Sequence, residues 1–171
     1  LTARTHENVF GIERFTVCIT AFTQGGQCSR QKSEDGKTVS QVFEKQLVPG
    51  GDALALEKYV SVVTSRDHAP QQLSSCGLDL LREAVQAGMQ TLEEEQRSVW
   101  AARWQMCDVA IEGDDAAQQG IRFNLFQLLC TYDGSDARLN IGPKGFTGEK
   151  YGGAAYYDTE GYCFPLYLAV A

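Results

Sequence analysis

The chain has 171 residues, with 15 Lys and Arg against 22 Asp and Glu, two histidines and a formal net charge of −7. That acidity disfavours a nucleic-acid partner, which requires a basic face, and no stretch approaches the ~20 apolar residues that span a bilayer. The six cysteines, Cys18, Cys28, Cys76, Cys107, Cys130 and Cys163, form no C-x-x-C pair, which argues against a zinc site and for reduced thiols in a cytoplasmic protein.

The first third reads as strands. Phe15, Val17, Ile19 and Ala21 alternate with Arg14, Thr16, Cys18 and Thr20, and a period of two marks a half-buried strand. Gln24–Gln27 and Lys32–Lys37 read as loops, Val39–Leu47 as a weaker strand, Val48–Asp52 as a turn and Leu54–Thr64 as a further strand. Strands joined by turns suggest part of an antiparallel sandwich.

Composition changes near Asp67–Pro70. Leu78, Leu81, Val85, Met89 and Leu92 recur at three- and four-residue steps, which predicts an amphipathic helix capped by Ser74 or Ser75, with Gly77 weakening its start. Helical character resumes through Val99, Trp100, Arg103 and Trp104, an aromatic stripe read as core packing. Glu93–Glu95 reads as a solvated face. Cys107–Ile111 is expected to be extended, with Cys107 and Cys130 in apolar surroundings, where a free cysteine acts as a small hydrophobe. Asp114 or Asp115 can cap the next helix. That helix, about residues 116–132, carries Ile121, Phe123, Leu125, Phe126, Leu128 and Leu129 around most of its circumference, which predicts burial on nearly all sides. Its polar exceptions, Arg122, Asn124 and Gln127, either face a site or satisfy neighbouring backbone.

The stretch Asn140–Tyr162 holds most of the chemical information. Gly142, Gly145, Gly148, Gly152 and Gly153 fall within twelve residues. Tyr156, Tyr157, Asp158 and Glu160 follow, a set suited to a sugar, because aromatic faces pack on C–H faces and carboxylates accept from hydroxyls. Lys144 and Lys150 invite a phosphate reading, but the Gly145–Lys150 spacing breaks the Gly-x-x-x-x-Gly-Lys-Ser/Thr pattern. Glu149 beside Lys150 is more simply a charge pair. The apolar finish, Pro165–Ala171, carries no charge, and an internal piece of a longer chain is expected.

The segment NIGPKGFTGEKYGG with Tyr-Tyr-Asp-Thr-Glu after it, together with VAIEGDDAAQQGIRFNLFQLLCTY upstream, resembles the maltose phosphorylase branch of the family-65 glycoside hydrolases. Relatives acting on kojibiose and trehalose carry a different loop, and the Pro143–Phe146 wording favours the maltose branch. The resemblance implies an α+β piece of a larger enzyme: residues 1–68 as the end of an antiparallel β-sandwich, 69–112 as a helical linker, and 113–171 as the first helix and glycine-rich loop of an incomplete six-fold α/α barrel. It implies an inverting phosphorylase that takes a disaccharide and inorganic phosphate with no cofactor and no metal, and it implies dimers. The family's general acid and phosphate-binding residues lie downstream of the matched region, so no catalytic or phosphate-binding residue is assigned here. Carried over by position, Asp158 and Tyr157 line the pocket for the non-reducing glucose, with Glu160 beside them. Tyr157 stands where the family usually has Trp, offering a hydroxyl instead of an indole N–H. A trehalase-like hydrolase, a phosphorylase of another α-glucobiose and a non-catalytic carbohydrate-binding or structural module are the alternatives, and the chain alone is expected to be of low stability and inactive.

Overall fold

The computed structural model describes residues 1–9, 11–46, 48–51, 53–142 and 154–170. Its described elements are strands β1 (Thr2–Arg4), β2 (Thr16–Gln24), β3 (Cys28–Lys32), β4 (Val39–Phe43) and β5 (Glu57–Thr64), then helices α1 (Leu73–Ala87), α2 (Met89–Cys107), α3 (Asp115–Thr131) and α4 (Phe164–Val170). The chain divides into two compact units, Leu1–Glu95 and Gln96–Ala171, and the division falls inside α2.

In the first unit β1, β2 and β5 form an antiparallel sheet in that order, and β3 pairs with β4 as a separate ribbon. β2 and β5 match over their whole length, from Val17 opposite Thr64 to Gln24 opposite Glu57. Two expected strands are shorter than their apolar runs suggest: β4 ends at Phe43, and β5 starts at Glu57 instead of Leu54. The ribbon's first strand, Cys28–Lys32, is polar and exposed throughout and carries no period-two signal.

Helix α1 packs on β2 and β5, against the face opposite to the one that the apolar alternation marks. Cys18, Val63 and Leu73 form the core cluster there. Ile19, Val60 and Val62 on the other face remain 41%, 51% and 58% exposed. Hydrogen bonding accounts for the inversion. Thr20 Oγ1 and Ser61 Oγ lie 2.6 Å apart across the strand pair, and both donate to the Gly77 carbonyl, at 3.0 and 2.7 Å. Gly77 is what lets the helix come so close: a Cβ there would stand 3.3 Å from Thr20 Cγ2 and 3.4 Å from Ser61 Oγ.

The same approach rotates the helix. Leu73, Gly77 and Leu81 are its buried stripe, while Leu78 and Met89, expected inside, are exposed. No serine caps it. A single 3-10 turn, Pro70–Gln72, leads straight in, and Ser75 Oγ donates back to the Gln72 carbonyl at 2.9 Å. Nor does the helix run on to Leu92. Gly88, at φ +82° and ψ 158°, breaks it and α2 restarts at Met89, since that backbone region is essentially closed to residues with a Cβ. Glu93–Glu95 are exposed, as expected.

In the second unit α2 carries the aromatic stripe into contact with α3. Trp100 lies 5.0 Å from Phe126 and 6.2 Å from Trp104, centroid to centroid. Arg103 covers the Trp100 ring at 5.3 Å and pairs with Asp133 at 3.2 Å. The stripe therefore joins two helices, the packing role read from sequence. Helix α2 continues to Cys107, which corrects the expectation that this residue is extended, and Asp108–Ile111 belongs to no strand. Asp114 caps α3 by accepting from the Ala117 amide at 2.9 Å.

Burial on nearly all sides of α3 does not hold. Leu125 and Leu129 are buried, yet Phe123 is 58% and Phe126 40% exposed, and Cys130 is exposed too. Among the described residues, Leu125 and Leu129 form the buried stripe of the helix, with Ile121 and Leu128 half-buried beside it. Cys107, in contrast, is buried, and that burial pushes its thiol pKa up. All six cysteines are free.

Candidate sugar-binding turn

The Tyr-Tyr-Asp-Thr-Glu segment adopts a helical backbone from Tyr157. It passes through a π-helical turn, Thr159–Cys163, and runs directly into α4. Single π turns inside helices occur often at functional sites. Asp158 enters the turn at φ −53° and ψ −38°, without a side-chain cap bond.

This backbone decides how the candidate residues are displayed. Tyr157, Asp158 and Glu160 are all exposed, Tyr157 by 83%. Positions two apart diverge around a helix, so Asp158 and Glu160 do not form a facing carboxylate pair. The Tyr157 ring lies along the next turn, where a Cβ on Gly161 would meet its Cε1 at 3.7 Å. An aromatic face and a carboxylate on successive positions can receive, respectively, the C–H face and the hydroxyls of one sugar ring.

Thr159 sits between the two acids and points the other way. It is 4% exposed, the only buried polar residue among those described. Its Oγ1 donates to the Ile141 carbonyl at 2.8 Å and its amide donates to the Tyr156 carbonyl at 3.0 Å. Further along, Tyr167 Oη donates to the Leu128 carbonyl of α3 at 2.6 Å, and its ring meets Tyr132 edge-on at 5.6 Å. Burial, with smaller contributions from Cys163 and Tyr132, pushes the Tyr167 pKa up to about 12. The sequence reading missed Thr159, Ile141 and Tyr167. The available signal was a β-branched hydroxyl residue between two acids, which a helical register turns away from both.

The remaining candidates fall elsewhere. Lys144, Glu149, Lys150 and most of the glycine-rich loop lie outside the described residues. Arg122 makes a two-pronged contact with Asp108, and Asn124 and Gln127 are exposed. A shallow hollow along α3, lined by Asp115, Gln118, Arg122, Phe123 and Phe126 among others, follows one side of that helix. Among the described residues no group of His, Cys, Asp and Glu could hold a metal ion, and no helix is long and apolar enough to cross a membrane.

Residues 1–103 match the N-terminal domain of glycosyl hydrolase family 65, and residues 122–171 match the central catalytic domain of the same family. The chain belongs to glycoside hydrolase family 65. Within that family, it is 46% identical to the maltose phosphorylase of Bacillus subtilis (strain 168) over 171 residues, all of this chain and 22% of that protein. It is 37% identical to the alpha,alpha-trehalose phosphorylase of Thermoanaerobacter brockii over 142 residues, 83% of this chain and 18% of that one. A solved structure, a putative kojibiose phosphorylase from human microbiome, superposes with a TM-score of 0.68 at 30% identity, covering 90% of this chain and 20% of its own. The family-65 chain thus spans about a fifth of the length of the relatives it matches.

Proposed function

We propose that the full-length protein carrying this segment is an inverting α-glucoside phosphorylase, converting maltose and phosphate into β-glucose 1-phosphate and glucose. The observation that carries the reading is identity of 46% to a maltose phosphorylase over the whole chain. The alignment includes the segment in which Tyr157, Asp158 and Glu160 stand exposed on one helical turn.

An inverting hydrolase needs a protonated carboxyl for the leaving oxygen and a base for water on the opposite face of the sugar. Phosphate is already nucleophilic at neutral pH and replaces both water and base. A phosphate oxygen attacks the anomeric carbon, the glycosidic C–O bond breaks, and the general acid gives its proton to the leaving oxygen. In this reading the acid and the phosphate pocket lie outside the present segment. The segment contributes to the pocket for the non-reducing glucose: Asp158 accepts from ring hydroxyls, Tyr157 covers an apolar face, and Glu160 stands beside them. No cofactor takes part. Residues 1–68 are proposed as sandwich, 69–112 as linker and 113–171 as the beginning of an α/α barrel, within a cytoplasmic enzyme.

The trehalose- and kojibiose-named relatives make other α-linked glucose disaccharides the second reading. The test is to give the full-length protein maltose with and without phosphate and to identify the sugar phosphate and its anomer. Phosphate-dependent β-glucose 1-phosphate is expected. Free glucose without a phosphate requirement would make it a hydrolase, and turnover of trehalose or kojibiose alone would replace the substrate.

A further inference from the structure

We infer that Thr159 is a positioning residue: its buried hydroxyl, bound to the Ile141 carbonyl, sets where the Asp158 carboxylate stands. The inference rests on the phosphorylase reading above and adds a residue to it. Asp158 is exposed and makes no side-chain cap bond to its own turn, so its place in space is inherited from the backbone beneath it. That backbone is fixed one residue later, where Thr159 Oγ1 reaches Ile141 O at 2.8 Å inside the protein. Ile141 is itself buried, at 8% exposure, which makes it a firm anchor.

The geometry is specific to a hydroxyl. Valine would fill the same space but leave the buried Ile141 carbonyl without this donor, and a buried acceptor that loses its partner pulls the local backbone toward a new one. A second bond, Tyr167 Oη to Leu128 O at 2.6 Å, ties down the far end of the same helical stretch. Loss of the Thr159 bond therefore swings the Asp158 end while α4 stays attached. Displacement of a binding group by about 1 Å costs on the order of 100-fold in rate, so even a partial shift is measurable.

The experiment compares Thr159→Val, Thr159→Ser and wild type in the full-length protein, by steady-state kinetics with maltose varied and then with phosphate varied. For Thr159→Val, kcat/KM for the disaccharide is expected to fall about 10-fold or more with the KM for phosphate unchanged, because only the glucose pocket moves. Thr159→Ser, which keeps the hydroxyl, should stay within about 3-fold of wild type. Unchanged kcat/KM in Thr159→Val overturns the inference, as does an equal rise in KM for both substrates, which marks general loosening. If Thr159→Val does not fold, Thr159→Ala takes its place beside Thr159→Ser: a fall in kcat/KM with alanine and not with serine supports the hydroxyl's role, and equal values in the two overturn it. A wild-type protein that phosphorolyses neither maltose, trehalose nor kojibiose overturns the phosphorylase reading, and the inference with it. That outcome is distinct from an active wild type with an unaffected Thr159→Val.

Discussion

Arg122 grips Asp108 through two parallel hydrogen bonds, Nε to Oδ1 at 2.9 Å and Nη2 to Oδ2 at 2.6 Å. The fork ties the middle of α3 to the chain that leaves α2, and planar two-pronged pairs of this kind are the strong class of ion pair. The Arg122 guanidinium holds the Asp108 carboxyl below its ordinary value of 3.8. A depressed carboxyl pKa stabilises the fold above the unfolded value, and the contribution is lost as pH falls through the folded one. Asp108→Asn should lower the melting temperature of the full-length protein around pH 7, and the gap to wild type should narrow as pH falls below 3.8 through the lowered folded value. Thermal unfolding at both pH values checks this; a gap independent of pH would remove the ion pair as its cause.

Tyr167 titrates in the opposite direction. Burial raises its pKa to about 12, so its contribution is complete below the unfolded value near 10 and disappears as pH rises toward 12. Tyr167→Phe removes the bond to Leu128, but that carbonyl also accepts from the Tyr132 amide at 3.2 Å and keeps a partner. The expected cost is therefore modest, about 1 kcal/mol, with a shallower alkaline decline than wild type. Denaturant titrations at neutral and alkaline pH measure both effects.

Gly77 inside α1 and Gly88 just past its end should respond differently from ordinary glycines. Gly77→Val would push a branched side chain into Thr20, Ser61 and Val63, costing about 1–3 kcal/mol by overpacking. Gly88→Ala adds a methyl group with nothing within 4 Å, yet it forces alanine into a backbone region nearly exclusive to glycine, at about 1–3 kcal/mol. Equilibrium unfolding of the two variants separates a steric cause from a conformational one, because a preceding Thr20→Ala substitution should relieve the first and leave the second intact.

Asp158→Asn keeps the shape of the side chain and removes its charge. Hydrogen bonds to charged groups contribute about 1.5–3 kcal/mol each, so kcat/KM for the disaccharide should fall roughly 10- to 100-fold. The residue is exposed and caps nothing with its side chain, so thermal stability should be unchanged. Loss of stability in parallel with activity would place Asp158 in the framework instead of the pocket.

How far the sequence carried depended on what each residue touches. Asp114 was legible as a cap because capping is local: a carboxylate reaches an amide three residues on. The motif around Asp158 was legible because its order of residue types is specific. The face of β2 was not, because Val17, Ile19 and Ala21 promise burial in any sheet, whereas the choice of face was made by Ser61 and Gly77, 41 and 57 residues beyond Thr20. α3 misled for a related reason: apolar residues around a helix state what could be covered, and Phe123 stays 58% exposed while Trp100 covers part of Phe126. Thr159 was hidden by its neighbours, since two acids and two tyrosines draw the eye to the surface of a turn whose fixed point is a methyl-bearing alcohol beneath it.

The hydroxyl pair Thr20–Ser61 has one more consequence. Both faces of the β2–β5 pair carry apolar side chains, so oil alone gives α1 two places to lie. What distinguishes them is the Gly77 carbonyl, which finds two donors on one side, whereas the pairs flanking Thr20 and Ser61 on the opposite face are Ile19 with Val62 and Ala21 with Val60. Handedness of docking is thus written in two small alcohols, and a doubly methylated sheet, with Val at both positions, would keep its strands while losing its sense of front and back.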